Sequence, residues 1–375
     1  MFFARHIFTG GHGATQFPIG SLPYWAIELD YCSESDAQRV AQYADLWKIS
    51  FCTVAIAENV LNCDQVTALY SLSEDCDEVD LDEDPVDPAL ITLLPAAEAR
   101  AYRLIPWRRC GNHIYYVTDS PHLFAQLYRQ KSYFRAHAKI VLTHPDAWQE
   151  ALARHYGTPL IQDAEASVTQ ALSCRTLFAT PRHTRMWAMG VTSVLAFGAV
   201  VNFAYTLTAL ITLALIAMLV MQSLKLLALY TRAPTAHSDI APLTPEDKNE
   251  VDAPWISIMV PLFKETEIAK TLLTRLERLE YPRSRLDIIL VLEAEDHQTA
   301  GVIARTDLPG HIRAIAVPPG SVTTKPRAMN YCLPFCHGEY VGIYDAEDAP
   351  EAEMLFKVAR HFRSAPQMSP AFKAS

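Results

Sequence analysis

Four short stretches in the last third of the chain carry residue types that could do chemistry. They are Lys264-Glu265, Glu293-Ala294-Glu295-Asp296, Lys325, and Asp345-Ala346-Glu347-Asp348. Acids this dense suit a hard divalent cation. Mg²⁺ or Mn²⁺ takes oxygen ligands, and Mg²⁺ usually combines one or two carboxylates with substrate phosphates. Such an ion would neutralise a diphosphate and, in a transfer reaction, stabilise the charge of the leaving group. The Asp345–Asp348 run has a second reading. Acid ahead of a proline is a common helix start, so it could cap the helix that begins near Pro350.

The elements around these stretches decide whether the groups can meet. Ile256–Leu262, Asp287–Leu292, Ile312–Val317 and Tyr340–Tyr344 read as apolar strands, and Glu267–Leu279, His297–Thr306, Lys325–Phe335 and Glu351–Phe362 as helices. Strands alternating with helices call for a parallel sheet covered on both faces. In an open sheet of that kind, ligands bind beyond the carboxyl ends of the strands. Strand one runs out at Pro261 into Lys264-Glu265, strand two ends at Glu293 and strand four at Asp345, while Lys325 opens the helix after strand three. The expectation is one polar rim assembled from four places in the sequence.

Ahead of that region, Met186–Leu224 contains no Asp, Glu, Lys, Arg or His. A membrane-crossing helix needs about 20 apolar residues, so this stretch is too long for one crossing and suits two. Asn202 falls where a hairpin would turn. Arg175, Arg182 and Arg185 on one side and Lys225 and Arg232 on the other would then share one face, which the positive-inside rule makes cytoplasmic. The expected localisation is therefore the cell inner membrane, multi-pass, with both termini cytoplasmic. Formal net charge is −10, with acid concentrated in Glu74–Asp87, and this argues against nucleic acid as a partner. Cysteines lack metal-ligand spacing and read as reduced thiols. No apolar signal-peptide core occurs near Met1.

The expected organisation is an unassigned segment at 1–45, a small α+β domain at 46–178, a transmembrane hairpin at 186–230, a Pro-rich linker at 233–254, the α/β part at 255–363 and a tail at 364–375. Within the α+β domain, Val60–Leu72, Pro88–Leu94, Pro95–Ala101, 145–156 and 163–178 read as helices. Leu104–Trp107 and Ile114–Val117 read as strands around a Cys110-Gly111-Asn112 turn. Its segment Asp87–Pro121, with helix-Leu-Pro-helix-Tyr-Arg-x-x-Pro order, resembles the N-terminal domain of type II secretion and pilus assembly ATPases. That resemblance implies a regulatory module, docking a protein partner or binding cyclic di-GMP. The Arg-Leu-Gly start of the cyclic di-GMP motif is absent, and no Walker A glycine run supports an ATPase.

The motifs VPLFKE, LEAED, KPRAMNYCL and YDAEDAPE, in this order and spacing, resemble the nucleotide-sugar half of family 2 inverting glycosyltransferases with a GT-A fold, the cellulose-synthase-like members. The resemblance implies a UDP-type nucleotide-sugar donor and Mg²⁺ or Mn²⁺. It puts Glu265 in the first nucleotide-contacting loop, Glu293 against the uracil or ribose with Asp296 beside it, and Lys325 at the diphosphate with Asn330 on the same helix. Asp345 and Glu347 take the acidic places of the Asp-x-Asp motif, next to Asp348, for the metal. Such enzymes also use a later general-base Asp, often in Thr-Glu-Asp, and a Gln-x-x-Arg-Trp segment. Neither occurs before Ser375. No catalytic base is therefore assigned, and the chain is expected to be a partial, membrane-anchored polysaccharide-type glycosyltransferase, inactive alone. The alternative is a membrane-tethered regulatory or binding protein without catalysis.

Overall fold

The computed structural model describes residues 17–130, 132–168, 182–230, 243–244, 248, 252–264 and 268–364. Two units form: Met1–Glu165 with Pro245–Ser375, and Ala166–Thr244.

Among the described residues the first unit opens with four helices, α1 (Leu22–Glu28), α2 (Glu34–Trp47), α3 (Phe51–Ala57) and α4 (Cys63–Glu74). Local chemistry sets their starts. Ser21, Ser33 and Ser50 cap the first three through their hydroxyls. Asn62 and Gln65 form a reciprocal capping box on α4, at 2.8 and 2.9 Å. Ala26, Val40, Phe51, Val54 and Leu69 close a small core between them. The segment expected to be unassigned, 1–45, thus holds α1, which at seven residues is too short to give a periodic signal, and most of α2, a fourteen-residue amphipathic helix.

Next come a single 3₁₀ segment (Pro88–Leu93), α5 (Ala96–Tyr102), β1 (Ile105–Cys110), β2 (His113–Thr118), α6 (Pro121–Gln130), α7 (Ser132–His137), β3 (Ala138–Leu142) and α8 (Pro145–Ala166). β1 and β2 form an antiparallel hairpin, and β3 pairs parallel to β2. The acidic run Glu74–Asp87 is pinned to β3. Val79 donates to the Leu142 carbonyl at 2.8 Å, and Leu81 and Val86 are buried. The break expected after residue 156 is also missing, since α8 passes through Pro159. Proline removes one helical hydrogen bond, but buried Tyr156, Leu160 and Ile161 hold both sides of it to the core. Residues 169–178 of the second helix expected there lie outside the described residues.

The sheet that carries the site consists of β4 (Ile256–Leu262), β5 (Leu286–Glu293), β6 (Ile312–Val317) and β7 (Tyr340–Ile343), all parallel, in the order β6-β5-β4-β7. Its helices are α11 (Ile268–Leu276), α12 (His297–Ile303), α13 (Lys325–Cys332) and α14 (Met354–Ser364). β5 is buried along its whole length, which explains its unbroken apolar run. Met259, Ile289, Val291, Ile315 and Val317 point to α13 and α8 and share one hydrophobic core with Leu104, Tyr116, Trp148 and Leu152. The small α+β region and the parallel sheet thus bury one continuous interior.

The second unit contains α9 (Arg182–Val201) and α10 (Phe203–Tyr230), both long and apolar enough to cross a membrane. Asn202 is the break between them. Its N–H still reaches the Gly198 carbonyl at 2.8 Å, and its side chain caps α10 by accepting from Tyr205 N–H at 3.2 Å. The break falls where the sequence placed the turn.

Candidate functional site

The chain runs β4, β5, β6 outward and then returns to lay β7 on the far side of β4. That reversal opens a crevice at the carboxyl ends of the central strands, where open α/β sheets bind ligands. A cavity of about 340 Å³ lies there. Pro261 and Phe263 at the end of β4, Val291 and Glu293 at the end of β5, and Thr323–Lys325 at the start of α13 line it.

Lys325 links this cavity to the end of β7, because its ammonium pairs with the Asp345 carboxylate. Both side chains remain substantially exposed, at 44% and 58%, so the pair is open to exchange for a ligand's charges. Lys325 is also the first residue of α13, and the free N–H groups of a helix start favour an anion. Past β7 the chain makes a tight turn: Asp345 N–H donates to Asp348 Oδ2 at 2.8 Å, and Asp348 N–H returns to the Asp345 carbonyl at 2.9 Å. Arg275 holds the Glu347 carbonyl at 2.9 Å. The Glu347 side chain is exposed. Asp348 therefore shapes the turn, while Asp345 and Glu347 present oxygens outward.

Glu293 is only 8% exposed and accepts a hydrogen bond from the buried guanidinium of Arg327. Burial raises its carboxyl above the ordinary range, and Arg327 pulls in the other direction without cancelling the rise. Arg327 also reaches the Pro318 carbonyl at 3.3 Å, and its Nε has no protein partner. The sequence reading passed over Arg327. Its signal was positional, two residues after Lys325 and on the inward side of the same short helix.

Asp296 faces a different task. Its carboxylate accepts from Thr299 Oγ1 at 2.6 Å and Thr299 N–H at 3.2 Å, capping α12, and from Lys264 N–H at 2.5 Å. Burial pushes this carboxyl up, yet these hydrogen bonds hold it below its usual value. Lys264 has a positive φ of 59°, so Asp296 fixes a strained turn at the mouth of the cavity. Asn330 turns away and donates to the Ala164 carbonyl of α8 at 3.2 Å. Glu265 lies outside the described residues. Glu293, Lys325 and Asp345 are thus brought to one rim, Asp296 supports that rim, and Asn330 joins α13 to α8.

Among the described residues there is no group of three or more His, Cys, Asp or Glu side chains arranged to hold a metal. Mg²⁺ does not need one, since it is commonly bound by one or two carboxylates with phosphates and water completing the shell. The hard oxygens of Asp345 and Glu347 fit that donor set.

A parallel sheet with a polar crevice at its reversal point has the layout in which open α/β domains bind ligands. Comparison with known proteins makes this specific. Residues 253–371 match the family model described as glycosyltransferase like family 2, and residues 73–162 match the MshEN domain. The chain joins an MshEN domain to a family 2 glycosyltransferase-like domain. The probable glycosyltransferase YdaM of Bacillus subtilis (strain 168) is similar, at 25% identity over 111 residues, covering 29% of this chain. The match spans only 26% of that relative's length. The solved structure of MshE with cdg aligns at a TM-score of 0.32 and 21% identity, over 36% of this chain and 99% of that one.

Proposed function

We propose that residues 255–363 bind the nucleoside diphosphate of a nucleotide-sugar donor, of UDP type, as the donor half of a membrane-attached family 2 glycosyltransferase. The observation that carries this reading is the position of Lys325, which lines the cavity beside Glu293 and pairs with Asp345. Lys325 and the start of α13 take the diphosphate. Glu293, buried on Arg327, faces the nucleoside side, where a carboxylate accepts hydrogen bonds from ribose hydroxyls or a base N–H. Asp345 and Glu347 hold Mg²⁺ or Mn²⁺, which when bound supplies charge neutralisation to the leaving diphosphate. α9 and α10 attach the chain to the inner membrane as two crossings, supported by their length and apolar character. The test is calorimetric titration of the full chain in detergent with UDP, with Mg²⁺ or with EDTA. Metal-dependent binding, weakened about tenfold or more by Asp345→Ala, is expected. Binding indifferent to metal sinks the metal assignment, and no binding sinks the donor assignment.

A second reading applies to residues 46–178: a regulatory module for cyclic di-GMP or a protein partner. The match of residues 73–162 to the MshEN domain supports it. Titration of the full chain with cyclic di-GMP checks it, and a flat isotherm leaves partner docking alone.

A further inference from the structure

The segment Pro318–Thr324 connects β6 to α13 and carries Thr323 and Thr324 to the wall of the cavity. It is held from outside its own domain. Ser321 donates through its backbone N–H to Glu165 Oε1 at 2.9 Å and through its hydroxyl to Glu165 Oε2 at 2.8 Å. Gly320 is wedged beside the same carboxylate. A Cβ there would lie 2.8 Å from Glu165 Oε1, 2.8 Å from Ile161 Cγ2 and 2.3 Å from Arg327 Nη1. Pro318 rests against Gly157, where an added Cβ would come within 3.1 Å of its ring. The C-terminal half of α8 thus grips the segment by packing at one end and by a carboxylate near the other. Arg327 extends the line from Pro318 to Glu293.

We propose that Glu165 is a positioning residue for the donor cavity: it anchors the Pro318–Thr324 segment, so that the placement of α8 sets how tightly the cavity takes a nucleoside diphosphate. This rests on the donor reading above. The physical reason is preorganisation. Ser321, Thr323 and Thr324 are exposed and Gly320 adds backbone freedom, so without the anchor the ordering of this segment would be charged against ligand binding. Any ligand or partner that shifts α8 would change donor affinity, and donor binding would change the affinity for that ligand by the same factor.

A double-mutant cycle on the full chain tests this, with UDP and Mg²⁺ as the probe. Glu165→Ala is expected to weaken UDP about three- to tenfold, the range that losing about one ordinary net hydrogen bond gives. Ser321→Ala, which keeps the backbone N–H, should weaken it less. The double variant should be no worse than Glu165→Ala alone, since both act through one contact. Glu165→Gln, which keeps an acceptor for the N–H, should restore part of the affinity. Thermal unfolding of all four variants should stay near wild type, because Ser321 is exposed and Glu165 is only half-buried. Wild-type affinity in Glu165→Ala, or additive losses in the double variant, overturns the proposal while leaving the donor reading standing. If the wild-type chain itself binds no UDP, the donor reading fails and the anchor falls with it.

Discussion

The two ends of the parallel sheet both carry charge, but they use it in opposite ways. At the amino ends of the strands, Ser257, Asp287 and Arg313 occupy the second position of β4, β5 and β6. The Asp287 carboxylate accepts from Ser257 Oγ at 2.9 Å, Arg313 Nε at 2.9 Å and Nη2 at 3.2 Å, and His337 N–H at 3.2 Å. Gly338 N–H then closes onto Ser257 Oγ at 2.8 Å, and a Cβ on Gly338 would meet Ser257 N at 2.3 Å. Ser257 and Asp287 are buried, and the network around them is filled by its own members. At the carboxyl ends, Lys325 and Asp345 are exposed, and Lys325 lines the neighbouring cavity with Glu293, Thr323 and Thr324. A charge cluster whose members satisfy one another fixes a fold, whereas one that opens onto a cavity can exchange partners with a ligand.

The largest expected effect breaks the closed end. Burial pushes the Asp287 carboxyl up, but Arg313 and His337 hold it well below the usual carboxylate range. Asp287→Ala should cost about 3 kcal/mol of stability, the low end for breaking a buried pair, because Arg313 keeps some contact with water. Urea unfolding followed by circular dichroism measures this. A loss below about 1 kcal/mol would mean that the network is not what fixes β7 beside β4.

A pH scan sharpens the same point. His311, just ahead of β6, is 7% exposed, and burial with the nearby Arg283 charge lowers its pKa to about 4. The unfolded chain takes up a proton near pH 6.5 that the folded chain refuses, so stability falls from about pH 6.5 towards pH 4 and levels below that. A shift of this size is worth at most about 3 kcal/mol. His311→Gln should flatten the urea midpoint across this window relative to wild type. Parallel curves for the two proteins would rule His311 out as the titrating group.

The same contrast explains what could be read in the sequence. Parallel-sheet periodicity is strong when strands are buried on both faces, and β4, β5 and β6 fall on the expected apolar runs to within a residue or so. Acids and lysine at strand ends were legible because loops at that edge interrupt apolar runs abruptly. The closed network was not, because a single Ser, Asp or Arg near the start of an apolar strand looks like noise until three strands are aligned in register. Arg327 was hidden for a related reason: a charge on a short helix reads as solvent-facing, and only packing turns it towards Glu293. The contact of Glu165 with Ser321 joins residues far apart in sequence, which no local pattern announces.

At the open end, Lys325→Ala should weaken UDP binding about tenfold while leaving the unfolding free energy in urea within about 0.5 kcal/mol of wild type, since an exposed ion pair contributes little to folding. Equal losses in both measurements would make Lys325 a structural residue and remove the contrast between the two ends.

The smallest effect concerns Asp296, which belongs to neither category. Its carboxylate caps α12 and holds the Lys264 turn at the mouth of the cavity, so it touches the rim without lining the cavity. Asp296→Ala should cost about 1 kcal/mol of stability, as for other lost helix caps, and weaken UDP about two- to threefold through the loosened turn. Asp296→Ser keeps the cap on Thr299 but is too short to hold Lys264 as well. If the turn matters for binding, Asp296→Ser should recover stability and leave affinity low, measured by urea unfolding and calorimetry on the same samples. Recovery of both together would place Asp296 with the closed end of the sheet, as a folding residue that happens to stand near the cavity.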